Sequence, residues 1–239
     1  ADKVVVTSNG IRVDMIEEEE YLDVIARNPY RIHFSSSPDR GLPVLLEKIF
    51  PRAKEYVPEL ELHIYYGFDN IEKLLKQGDE AAQERARKFF MPWVDRVKAH
   101  LTDPGVHWHG RIGQRDLTRE WLKAGLWVFP STYPESSCAS TMEAQALGAI
   151  PITHPLWGLG ENTKWGTLIT GGDPYTEPLI QARYVAEIVR LATMGAAGHL
   201  EEYRRQMMAD ARQRFDWGVQ VPRWEQWAMA EQPQEAVCS

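Results

Sequence analysis

Short apolar runs that end in glycine, serine or proline, each followed by a stretch of helical periodicity, recur along this chain and constrain its class more than any other feature. The pattern predicts strands over 31–35, 60–66, 106–109, 126–129, 150–153 and 167–170, with the strand over 60–66 buried on both faces and a Gly-rich loop over 157–161 before the last strand. Helices are predicted over 42–56, 116–124, 139–147, 176–194, 199–215 and 217–229, the last carrying Trp224 and Trp227. Strands alternating with helices at this spacing predict an α/β, Rossmann-like, doubly wound parallel sheet. Residues 70–101 are helical and polar but longer than a crossover needs, so they read as an inserted helical pair that Pro92 restarts or kinks.

Residues 1–30 read as a lead-in, with a β-branched strand over 4–7, a turn at Ser8-Asn9-Gly10 and an acidic run over 17–20 that is a solvated face. The main domain is then 31–215, and 216–239 is a final helix with a polar tail beyond Gln232.

A net charge of -7 argues against non-specific nucleic-acid binding, which needs clustered Lys and Arg. Apolar residues at 44% and charged residues at 26% are ordinary for a globular protein. The 2 cysteines, Cys138 and Cys238, do not make a disulfide framework, so a reducing compartment is expected. No leader and no apolar run of membrane-spanning length is visible, and the expectation is a cytoplasmic protein without a transmembrane segment.

Ligands of doubly wound sheets bind at the carboxyl ends of the strands. Residues 36–41, Gly67, Gly110-Arg111-Ile112 and residues 131–135 all fall at such ends. After the apolar run Leu126-Trp127-Val128-Phe129 comes Pro134-Glu135-Ser136-Ser137-Cys138-Ala139-Ser140-Thr141-Met142-Glu143-Ala144, in which small residues separate two carboxylates and stand at a helix start. The unpaired N–H groups and dipole of such a start favour an anion, and a diphosphate would fit. Arg40, at a second helix start, supplies a guanidinium suited to phosphate oxygens, although the same residue also reads as a solvated surface cation. Glu143, one turn into its helix, reads either as placed to accept two ribose hydroxyls or as a surface or salt-bridged helix carboxylate, and Glu135 reads either as facing a ligand or as an N-terminal capping acid.

Together, the Glu-x7-Glu motif, Gly148 after it, the Ser36-Ser37-Pro38-Asp39-Arg40-Gly41-Leu42 turn and Val128-Phe129-Pro130-Ser131 resemble the C-terminal, nucleotide-sugar-binding half of retaining GT-B glycosyltransferases of family 4. Ser8-Asn9-Gly10 resembles that family's interdomain Asn-Gly element. The resemblance implies a domain that binds a nucleotide-diphospho-sugar donor for transfer to an acceptor hydroxyl. It further implies no metal cofactor, in keeping with the absence of an Asp-x-Asp. Glu143 would hold the ribose, and Glu135 would contact the sugar. Ser37 and the backbone at Ser137, Cys138, Ala139 and Ser140 would contact sugar and diphosphate, with Arg40 neutralising the leaving group. Arg111 and Ile112 would line the base, with Tyr66 at a neighbouring strand end.

The chain departs from the family at three points. The basic residue expected before Arg40 is replaced by Phe34-Ser35-Ser36, so part of the diphosphate clamp is missing or comes from elsewhere, with Lys164 and Arg111 as candidates. The glycine expected inside the Glu-x7-Glu loop is replaced by Cys138 or its neighbours. The acceptor-binding domain is missing, so the half is expected to be inactive alone. A non-catalytic nucleotide- or partner-binding module of the same fold is the alternative, and an epimerase of that fold would need a complete pair of domains.

His107 and His109, flanking Trp108 on one strand, point to one face and would suit a metal, but no third ligand stands at a convincing spacing. Cys138 beside a helix start has no histidine partner and reads as a small packing residue.

Overall fold

The structure is a computed structural model that describes residues 8–15 and 27–230. The expected strand over 4–7, the acidic run over 17–20, Cys238 and the tail beyond Gln232 lie outside the described residues.

The strands are β1 (Asn28–Phe34), β2 (Glu61–Ile64), β3 (Val106–Trp108), β4 (Ala124–Phe129), β5 (Ile150–Thr153) and β6 (Thr167–Leu168). They form one parallel sheet in the order β3-β2-β1-β4-β5-β6. At its centre, β4 is buried at every position, which is why its sequence is an unbroken apolar run rather than an alternating one. Because the order reverses between β1 and β4, right-handed crossovers put the connecting helices of the two halves on opposite faces.

The first helix, α1, runs through Leu42–Val44, a π-helical turn Leu45–Ile49 and Phe50–Tyr56. Pro51 accounts for the irregular turn, since it lacks an N–H and its ring excludes the carbonyl one turn back. Helices α2 (Asp69–Leu74) and α3 (Glu80–Ala99) join β2 to β3. This is the expected helical pair, but the break lies at Gly78 and not at Pro92. Asp79 caps α3 by accepting from the Ala82 N–H at 2.8 Å, and Pro92 sits on the solvent side of one continuous helix. A helix tolerates proline there by bending away from its neighbours. α3 is held to α1 by a bidentate Arg96–Glu47 pair with both contacts at 2.7 Å.

Helix α4 (Gln114–Leu122) joins β3 to β4, α5 (Ala139–Leu147) joins β4 to β5, and a short α6 (Gly158–Asn162) joins β5 to β6, where a Gly-rich loop was expected. The chain ends in α7 (Pro178–Ala196), α8 (Glu201–Phe215) and α9 (Trp217–Ala230). α7 packs on β1, β4 and β5, and α8 packs on α5. Buried Arg204 of α8 donates to the carbonyls of Gly125 at 2.8 Å and Gly148 at 2.5 Å, tying the entrances of β4 and β5 together. Burial pushes its pKa down to about 10.

The lead-in is tied to the α8–α9 junction. Ile11 donates to the Phe215 carbonyl at 2.7 Å and accepts from the Trp217 N–H at 3.1 Å. The Trp217 ring lies directly over Gly10 and meets Trp224 edge-on at 5.3 Å. Trp227 remains 38% exposed. Among the described residues no helix is long and apolar enough to cross a membrane.

Candidate functional site

The sheet order reverses between β1 and β4, and a crevice opens where crossovers leave in opposite directions. The loops after these strands are pressed together. Gly41, at φ 94°, begins α1, and a Cβ there would lie 2.9 Å from the Pro130 carbonyl carbon. Only glycine takes that backbone conformation without strain, and only a hydrogen fits the contact.

Arg40 closes a turn by donating its backbone N–H to Ser37 O at 3.0 Å. Its guanidinium crosses the crevice to an ion pair with Glu135 and lies 3.9 Å from the centroid of the Tyr133 ring. Burial opposes the Arg40 charge, but the hydrogen bond and charge of Glu135 outweigh it and hold the group above its usual pKa. The Arg40 Nε is buried without a partner. Arg40 is therefore not a solvated surface cation. Nor does Glu135 cap α5, because the N-cap is Cys138.

No side chain caps α5 with a hydrogen bond, and no acid stands in its first turn, so its positive end is not neutralised locally. Ser137 and Ser140 are half-buried and Ala139 is exposed beside it. Cys138 is buried, and burial pushes its thiol up to about 12, which keeps it protonated and fits a packing role.

Glu143 accepts from Gln114 Nε2 of α4 at 2.9 Å. Desolvation raises its carboxyl to about 7, while Gln114 and the Trp121 indole pull the other way. A partly buried carboxyl that is easily ionised by new donors stands here.

The loops after β2 and β3 adjoin. The Arg111 Cβ lies 3.7 Å from where a Cβ on Gly67 would stand, and Tyr66 accepts from Asn70 Nδ2 at 3.5 Å. Arg111 is exposed, Ile112 is half-buried, and the start of α4 follows directly. The structure thus unites Ser37, Arg40, Glu135 and the start of α5 at one part of the rim. Glu143 meets the end of the β3–α4 loop at another, and the two carboxylates of the motif have different partners. Of the two candidate second cations, Lys164 is bound to Asp210 of α8 at 2.8 Å, whereas Arg111 has no ion-pair partner among the described residues.

Sequence reasoning missed Gln114, Tyr133 and the role of Trp157-Gly158. The Gly158 N–H donates to the Glu135 carbonyl at 2.8 Å, and a Cβ on Gly158 would lie 2.7 Å from the Ser136 carbonyl oxygen. Trp157, at φ 50° and 72% exposed, stands at the same edge. The glycines marked a loop, but nothing in the sequence linked it to Glu135.

Neither a protein-family model nor a curated protein matches the sequence. Solved structures do match. The pneumococcal O-GlcNAc transferase GtfA, solved with UDP and GlcNAc, superposes with a TM-score of 0.59 at 18% identity over 85% of this chain and 36% of its own. Anabaena Alr3699/HepE, solved with UDP, gives 0.58 at 16% identity over 94% of this chain and 57% of its own. A glycosyltransferase from Rickettsia africae gives 0.58 at 16% identity over 96% of this chain and 57% of its own. The chain thus spans between a third and three fifths of each of these structures. At these identities the likeness is one of fold. The chain has the Rossmann-like fold of one half of a GT-B glycosyltransferase.

Proposed function

We propose that the chain is the donor-binding half of a retaining, metal-independent glycosyltransferase, which transfers a sugar from a nucleoside-diphospho-sugar to an acceptor hydroxyl and needs an acceptor-binding domain to do so. The observation that carries this reading is Arg40 paired with Glu135 beside the uncapped start of α5, at the point where the sheet order reverses. The diphosphate would lie against the first turn of α5 with Arg40 as its counter-charge. As the bond to the leaving diphosphate breaks, Arg40 and the α5 N–H groups stabilise the growing negative charge. The acceptor hydroxyl attacks on the face from which the diphosphate departs, and its proton passes to the departing phosphate oxygen. No protein nucleophile is needed, and the protonated Cys138 thiol is unsuited to be one. Glu143 would take the ribose hydroxyls, Arg111 and Ile112 the base, and Glu135 the sugar.

The test is calorimetry of the chain with UDP, GDP, ADP and dTDP and their sugar conjugates. UDP comes first because fold neighbours were solved with it. Binding of one nucleotide, lost in Glu143→Ala, is the expected result, and binding of none would overturn the reading. A second reading, a non-catalytic module of the same fold, draws on one observation. Phe34-Ser35-Ser36 offers no second cation, and the charge of Arg40 is already met by Glu135. It predicts nucleotide binding without transfer when the acceptor domain is supplied.

A further inference from the structure

One face of β1, β2 and β3 carries titratable side chains at alternate positions, where a parallel sheet usually carries apolar ones. Register sets His33, His63 and His107 in one row, with Arg31 beside Glu61. The opposite face of the same strands is Ile32, Phe34, Leu62 and Ile64, all buried. Towards the sheet centre the titratable face is covered, because Trp121 of α4 stacks on His33 at 3.6 Å and Glu120 takes the charge of Arg31. Towards the β3 edge it opens, and His107 and His109 are exposed.

At that edge Glu61, His63 and His107 each offer a ligand atom, and these atoms lie within 4.8 Å of one another. Glu61 Oε2 is 3.2 Å from His63 Nε2. Two ligands about 2.0–2.1 Å from a tetrahedral zinc stand roughly 3.3–3.4 Å apart, so this edge is already near the required length. The other nitrogen of His63, Nδ1, is 3.0 Å from His109 Nε2. With the proton on Nδ1 of His63 and donated to His109 Nε2, Nε2 is left as the lone pair facing Glu61, and this is the kind of outer hydrogen bond that orients a ligating imidazole. Asn28 Nδ2 approaches Glu61 Oε2 at 3.5 Å from behind.

We propose that Glu61, His63 and His107 form a binding site for a divalent first-row transition metal of the zinc type, with His109 as the residue that orients His63. Two imidazoles and one carboxylate suit that class and leave a position for water. Of the pair His107 and His109 only His107 is a ligand here, and the other two come from the neighbouring strand, β2. The ion would clamp β2 to β3 just before Gly110 and Arg111, and it takes no part in the transfer chemistry proposed above.

The test uses the full chain, free of any affinity tag and stripped of metal, titrated with zinc chloride alone by calorimetry. One equivalent binds, and melting shifts upward at saturation. His107→Ala, at an exposed position, and Glu61→Gln each weaken binding by about tenfold or more. His199→Ala, an exposed histidine before α8, changes nothing. Failure of zinc to bind saturably, or equal affinity in His107→Ala and the parent with circular dichroism unchanged, would overturn the assignment.

Discussion

Arg40, on the loop after β1, and Glu135, on the loop after β4, form an ion pair across the point where the sheet order reverses. Their side chains are 26% and 12% exposed, so the pair is neither a free surface contact nor fully withdrawn from water. An incoming diphosphate therefore competes with a carboxylate for the guanidinium, and the two residues are expected to affect affinity in opposite directions.

Arg40→Ala is expected to weaken nucleoside-diphosphate binding by roughly 10- to 100-fold, or about 1.4–2.8 kcal/mol. Arg40→Lys should recover only part of it, because a point charge does not reproduce the guanidinium fork. Glu135→Gln should leave nucleoside-diphosphate affinity equal or tighter while removing the extra affinity of the sugar conjugate. Calorimetry with both ligands checks all three.

Glu143 makes stability fall as pH rises. Its carboxyl is moved from 4.5 to about 7, so between these values the folded state holds a proton that the unfolded state has lost. Folded protein is then favoured below the unfolded value, and the advantage is lost as pH rises through about 7. Glu143→Gln should flatten this part of the stability profile by roughly 1–3 kcal/mol, measured by urea unfolding from pH 4 to 8. If ribose hydroxyls bind the carboxylate, nucleotide binding near pH 6.5 should release a proton, seen as a dependence of binding heat on buffer.

Gly158→Ala is expected to cost about 1–3 kcal/mol and to weaken binding of the sugar conjugate, because the new methyl meets the Glu135 and Ser136 carbonyls. Trp157→Gly should instead raise stability by about 1 kcal/mol, since the ring is largely exposed and its backbone takes a positive φ. Thermal melts with calorimetry on the same samples separate the two effects.

Arg204→Met keeps most of the buried volume but leaves the Gly125 and Gly148 carbonyls without their donor. A loss of roughly 2–4 kcal/mol is expected in denaturant unfolding, with nucleotide affinity unchanged.

The alternation of apolar runs and helical periodicity was enough to place the parallel sheet, and α5 and β5 fall on the expected residues, because both periods are local consequences of which face is buried. Local signals also misled. Pro92 was expected to divide the inserted helices, but whether a proline breaks a helix depends on which side faces solvent, and tertiary packing decides that. The strand over 60–66 is buried on both faces as expected, but His63 and Tyr65 make one of those faces titratable and not apolar.

Which residues stand at strand ends and helix starts is legible along the chain, since it follows from contacts only a few positions long. Which of them meet is settled by the packing of distant segments. Arg40 and Glu135, Gln114 and Glu143, His63 and His107, and Gly158 with the Glu135 carbonyl are all far apart along the chain. Each pairing is set by strand order and register, which depend on the burial of the whole sheet and leave no mark within a local stretch of residues.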